Sequence, residues 1–123
     1  MILGVGTDLC QIDRIAAALE NPRFMNRIFT LRERALMEGM CPERRAERAA
    51  GLFAAKEAVA KAIGTGFVGF GFADIEILPN ELGRPVAALS DAVPAPAGSR
   101  VHVSISHDGG MALAFAVLCQ EDL

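Results

Sequence analysis

Residues 53–66 hold the densest chemistry in the chain. A carboxylate, Glu57, and an ammonium, Lys61, stand four residues apart, and Gly64, Thr65 and Gly66 follow. On a helix, Phe53, Glu57 and Lys61 share one side while Leu52, Val59 and Ile63 share the other. Most Glu–Lys pairs at this spacing are surface ion pairs worth about 0.2–0.5 kcal/mol. This pair has company. Asp8 shares one face of a predicted strand with Gly4 and Gly6, which implies an open trough where something large approaches the carboxylate. Arg44, Arg45 and Arg48 crowd the start of a long helix, where cations oppose the helix dipole. An anionic ligand would account for them, and so would a solvated face balanced by Glu43 and Glu47. Gly64 sits where a left-handed helix cap is expected, and Thr65 and Gly66 then offer backbone to a ligand. His107 falls at the mouth of a predicted hairpin, a place where a histidine is more often structural than catalytic.

The elements that must position these residues follow from periodicity and turn chemistry. Residues 2–9 alternate as a strand, with Leu3, Val5, Thr7 and Leu9 on one face and Ile2, Gly4, Gly6 and Asp8 on the other. From Asp13 the pattern turns helical, and Asn21-Pro22 stops it. Residues 23–29 read as a tight connection, with Phe24, Met25, Ile28 and Phe29 inward and Arg23 and Arg27 outward. Thr30 and Glu33 match a capping box opening a helix to about Met37. After Cys41-Pro42 the long central helix begins at Glu43. An apolar loop with three phenylalanines covers 67–72. Two hairpins follow. The first pairs 73–78 with 84–89, whose Pro85 marks an edge strand. Residues 90–99 are irregular. The second hairpin pairs 100–107, with Val101, Val103 and Ile105 inward, through Asp108-Gly109-Gly110 with 111–119. That last run is almost continuously apolar, as in a strand buried on both faces. The expected class is α+β, an antiparallel sheet of short strands packed against a long central helix.

Composition narrows the function classes. The 123 residues suit one domain over 1–123. A hydrophobic fraction of 52% is high, alanine included, and hints at a buried oligomer interface. The net charge of −3 argues against general nucleic-acid affinity. Yet Arg14, Arg23, Arg27, Arg32 and Arg34 face only Asp13, Glu20 and Glu33 in the same stretch, a local basic patch. Cys10, Cys41 and Cys119 form no CxxC and leave one odd, which fits a reducing compartment. No apolar run approaches the roughly 20 residues of a membrane span, and the start lacks the basic region of a signal peptide. A cytoplasmic location is expected.

Three motifs occur in order: Gly4-Val-Gly-Thr-Asp-Leu9, Phe53-Ala-Ala-Lys-Glu-Ala-Val-Ala-Lys61 with Gly64-Thr-Gly66, and Ser104-Ile-Ser-His107. Over essentially its whole length the chain resembles the holo-acyl-carrier-protein synthases, the short branch of the 4′-phosphopantetheinyl transferases. The resemblance implies transfer of the phosphopantetheine arm of coenzyme A to a serine of an apo acyl carrier protein, releasing adenosine 3′,5′-bisphosphate. It implies Mg²⁺ on Asp8 and Glu57, with Glu57, Lys61 and His107 at the reacting phosphates. Coenzyme A would meet Arg45, Arg48, Lys61, Gly64, Gly66, Gly83, Pro85, Ser106 and His107. The carrier would meet Arg14, Arg23 and Arg27. A homotrimer is implied, with His107 of one subunit facing the carboxylates of the next. Gln11 and Leu52 depart from the family pattern, which often has Glu at the first and Arg or Lys at the second. A Mg²⁺-dependent nucleotide phosphohydrolase and a non-catalytic carrier-binding module are the alternatives.

Overall fold

Helix α4 (Pro42–Ile63) is the axis of the molecule. Proline at its first turn, ten alanines or other small residues on its buried positions, and Gly64 at φ 96° as its left-handed cap fix where it starts, how closely it packs and where it stops. The computed structural model describes residues 1–121. In chain order they form β1 (Ile2–Gln11), α1 (Ile12–Ala18), α2 (Pro22–Ile28), α3 (Leu31–Met37), α4, β2 (Ile75–Pro79), β3 (Pro85–Leu89), β4 (Ser99–Asp108) and β5 (Met111–Gln120). One antiparallel sheet has the order β1-β5-β4, and β2 and β3 form a separate antiparallel pair. The expected α+β class and the long central helix hold. No helix among the described residues is long and apolar enough to cross a membrane.

The core lies between α4 and the inner face of the three-stranded sheet. Ala49, Ala50, Ala54, Ala55, Ala58 and Val59 meet Ala112, Ala114, Ala116 and Leu118 there, all buried. Small residues on both sides let helix and sheet approach closely. The glycine trough beside Asp8 is therefore a docking groove for α4, not for a ligand. A Cβ at Gly4 would run into the Ala62 carbonyl oxygen, and one at Gly6 into that of Ala58.

Three other expectations change. Residues 23–29 are not a tight connection: Pro22–Ile28 is helix α2, because Asn21-Pro22 both ends α1 and starts the next helix. The Asn21 side chain caps it by accepting from Arg23 N, and Pro22 takes the first helical position. The β5 strand is buried on one face only. Its other side chains, Leu113 and Phe115, are 44% and 48% exposed, beside Val5 at 56% and Leu9 at 59% on β1. Thr7 pairs with Phe115 and Leu9 with Leu113 across the ladder, so one side of the sheet is an open apolar surface. Finally, α4 is buried almost all round. Phe53 does not face solvent; it stacks on Phe72 with ring centroids 5.3 Å apart.

The Thr30–Glu33 capping box is present. Glu33 does more than cap. Fully buried, it accepts from Lys56 Nζ at 2.6 Å and from Ile77 N at 2.8 Å. Lys56 also donates to the Ile28 and Phe72 carbonyls at 2.7 and 3.1 Å. Burial pulls the Lys56 ammonium below the ordinary lysine value, and the Glu33 carboxylate opposes that shift. This pair ties α2, α3, α4 and β2 into one body and fixes the roll of α4.

Candidate active site

The chemistry sits at the two ends of α4. At the C-terminal end, Asp8 projects from the helix-facing side of β1, where β1 crosses the last turns of α4. The Lys61 ammonium donates to the Thr7 carbonyl at 2.9 Å and lies 3.5 Å from Asp8 Oδ1. Lys61 is about half exposed, at 54%, and the Asp8 side chain is 19% exposed. Glu57, one turn before Lys61, is half-buried and raised above the usual carboxylate range. Burial is the main cause, the Asp8 charge adds to it, and Lys61 opposes it. Two carboxylates that disfavour each other's charge, with one cation beside them, form a site where a further positive charge is stabilised. Gly64 and Gly66 follow at the same end, both with positive φ.

The other end of α4 lines a cavity of about 640 Å³. Its polar wall is Arg44, Glu47 and Arg48 of α4, Gly83 and Pro85 of the β2–β3 hairpin, and His107 at the end of β4; Gly51, Leu52, Ile77 and Ile105 lie beneath. The position of His107 follows from packing. A Cβ at Gly51 would come within 2.9 Å of Ile105 Cγ2, so only glycine lets β4 lie this close. His107 is two residues beyond Ile105 on the same strand face, and Glu47 is one helical turn before Gly51. The two side chains meet, with Nδ1 of His107 3.0 Å from Oε2 of Glu47.

The structure thus brings Asp8, Glu57 and Lys61 together, and separately Arg48, Gly83, Pro85 and His107. It does not bring the two groups together within one chain. Glu57 and Lys61 lie about 15 and 21 Å beyond Glu47 along the helix axis, and Asp8 and His107 lie on opposite edges of the three-stranded sheet. Two expected contacts fall outside the cavity. Ser106 alternates to the outer face of β4, across from the exposed Leu113, and Arg45 is turned away along the helix, so Arg44 takes the place beside Arg48. Leu52 lies beneath the cavity as an apolar contact. Arg14, Arg23 and Arg27 are all exposed on α1 and α2. Sequence reasoning did not foresee Glu47, because its partner is sixty residues away, nor Lys56, which reads there as one more helix lysine. No cluster of three or more His, Cys, Asp or Glu occurs among the described residues.

A family model described as the 4′-phosphopantetheinyl transferase superfamily matches residues 4–116. The chain belongs to this superfamily. Both clusters of the phosphopantetheinyl transferase chain, from Asp8 to His107, lie within the matched span. It is 46% identical to the holo-[acyl-carrier-protein] synthase of Clostridium novyi (strain NT) over 123 residues, covering 96% of this chain and 88% of that one. With the same enzyme of Clostridium beijerinckii it shares 47% identity over 124 residues, covering 96% and 98%. The crystal structure of the Bacillus anthracis holo-(acyl-carrier-protein) synthase, in complex with CoA (3′,5′-ADP), superposes with a TM-score of 0.87 at 39% identity, covering 98% and 99% of the two chains.

Proposed function

We propose that the chain moves the 4′-phosphopantetheine group of coenzyme A onto a serine of an apo acyl carrier protein. The observation that carries this reading is the convergence of Asp8, Glu57 and Lys61 at one end of α4, in a chain of this superfamily. The serine oxygen attacks the pyrophosphate, the bond to adenosine 3′,5′-bisphosphate breaks, and the serine proton departs. Charge grows on the phosphate oxygens as this happens, and Lys61 is placed to offset it. Asp8 and Glu57 fit Mg²⁺, which takes few carboxylates and keeps water and phosphate oxygens as its other ligands. When bound, the ion supplies charge neutralisation at the pyrophosphate. The nucleotide end of coenzyme A fits the cavity, with Arg44 and Arg48 as phosphate partners and His107, Gly83 and Pro85 along its wall. Arg14, Arg23 and Arg27 form the landing surface for an acidic carrier.

The working form is a homotrimer. The open apolar face of β1 and β5 supports this, because such a surface asks for a partner. The separation of the two clusters supports it too: the cavity of one subunit, with His107, completes the Asp8–Glu57–Lys61 cluster of its neighbour. Mass spectrometry tests the reaction. Incubation with coenzyme A, Mg²⁺ and an apo carrier should add one phosphopantetheine to the carrier, and no mass gain would refute the reading. Sharing between subunits is tested by reassembling inactive His107→Ala and Glu57→Ala proteins together. Mixed trimers should regain part of the activity, and none would return if the site lay within one chain.

A further inference from the structure

We propose that Glu47 is the positioning residue for His107. Its carboxylate takes the Nδ1 hydrogen and leaves Nε2 as the nitrogen presented to the ligand in the cavity. The inference rests on the function proposed above but begins from a contact that function does not require. A carboxylate oxygen only accepts, so at 3.0 Å the hydrogen is on Nδ1. An ion pair with side chains 53% and 35% exposed would by itself be a weak surface contact. Its neighbours argue for more. Glu47 stands between Arg44 and Arg48 on the same cavity wall, and Arg44, three residues before it, is within reach on the helix. Among the described residues Glu47 pairs with neither arginine, only with the imidazole. Both guanidinium groups thereby stay available for an anion.

The backbone sets this choice. The Gly51–Ile105 contact locks β4 to α4. One helical turn back from Gly51 is about 6 Å, and two strand residues on from Ile105 is about 6.6 Å. The register therefore delivers the imidazole to Glu47 before any ligand arrives. A ring held through Nδ1 cannot rotate freely, and Nε2 keeps one direction. A second group that fixes tautomer and orientation is how an imidazole is commonly tuned.

Nitrogen-15 spectroscopy of the whole protein tests this directly, because the sequence has two histidines, His102 and His107, and His107→Gln assigns their signals. With the rings neutral, His107 should carry its hydrogen on Nδ1, and Glu47→Ala should shift it to Nε2 while His102 is unmoved. In turnover, Glu47→Ala should lower kcat/KM for coenzyme A roughly tenfold, the usual scale for removing a partner that orients an imidazole, with KM for the carrier unchanged. Glu47→Gln keeps an acceptor oxygen and should retain most activity. In a His107→Ala background, Glu47→Ala should cost nothing further. An Nε2–H form in the unaltered protein, or the same loss in both backgrounds, overturns the proposal. If the unaltered protein transfers no phosphopantetheine, the functional reading fails, while the tautomer measurement still decides the pair.

Discussion

Lys56 and Lys61 stand five residues apart on one helix and do opposite work. Each has three N–H donors. Lys56 spends all of them inside the protein, on Ile28, Glu33 and Phe72, and is wholly buried. Lys61 uses two, on Thr7 and Asp8, the second at a long 3.5 Å, and about half of it faces water. A saturated ammonium can only hold structure together. An incompletely partnered one beside an acidic pair can still meet a phosphate. The completeness of a residue's partners, rather than its type or place in a motif, separates scaffold from chemistry here.

Breaking the functional side should give the largest effect. Glu57→Ala or Lys61→Ala should lower kcat for carrier modification by about 10³-fold, the order expected when a group stabilising transition-state charge is removed. Their Tm should stay within a few degrees of the unaltered protein. Calorimetry alongside the mass-spectrometric assay checks both, and near-normal turnover at saturating Mg²⁺ would remove these residues from the mechanism. Lys56→Met reverses the pattern. It strands the buried Glu33 carboxylate, at about 3–5 kcal/mol, which lowers Tm by roughly 10–20 °C for a chain of this size. Folded Lys56→Met protein, assayed well below its Tm, should keep most of its turnover. Adding Glu33→Leu should recover much of the lost stability, since a matched apolar pair leaves no buried charge.

A smaller effect sharpens the comparison at the exposed end. Arg14→Glu should raise the apparent KM for the carrier several-fold and leave that for coenzyme A unchanged, with the difference fading as salt screens the surface charges. A carrier KM indifferent to salt would make the arginines a plain solvated face. The smallest effect is thermal. The folded-state pKa of Glu57 is raised, so between its ordinary and raised values the folded protein holds a proton that the unfolded chain has lost. Stability therefore falls as pH rises through that window. In chelator at neutral pH, Glu57→Gln should melt slightly higher than the unaltered protein, and the gain should vanish in acid below the carboxylate range. Mg²⁺ should raise the Tm of the unaltered protein but not of Glu57→Gln.

Much of this was readable from residue order. The capping box, the left-handed Gly64, both hairpins and the inward faces of β2 and β4 are local signals, and each came through. What escaped reading depends on partners distant in sequence. Lys56 looks like a surface lysine until Glu33, on another helix, is brought beside it. The outer face of β5 is as apolar as its inner face, so alternation could not reveal that one side is open within the chain. Gly4 and Gly6 signal close approach correctly, but sequence does not say whether a ligand or a helix approaches. For the site, the three motifs marked Asp8, Glu57, Lys61 and His107, while Glu47 carries no motif and emerges only from the Gly51–Ile105 contact.

The pairing of β1 with β5 ties the making of the protein to its order of synthesis. Every rung of that ladder joins residues 2–11 to residues 111–119, and the Met1 ammonium and the Gln120 carbonyl close it at 2.9 Å. On a ribosome the first strand must wait for nearly the whole chain before its hydrogen bonds can form, and loops that long make such pairings slow. The helices α1 to α4, whose bonds are local, can form in the meantime. Asp8 is thus among the first residues made and among the last to be set in place. A nascent chain is chemically incompetent until its final strand arrives, and that strand completes the sheet and the acidic pair in a single event.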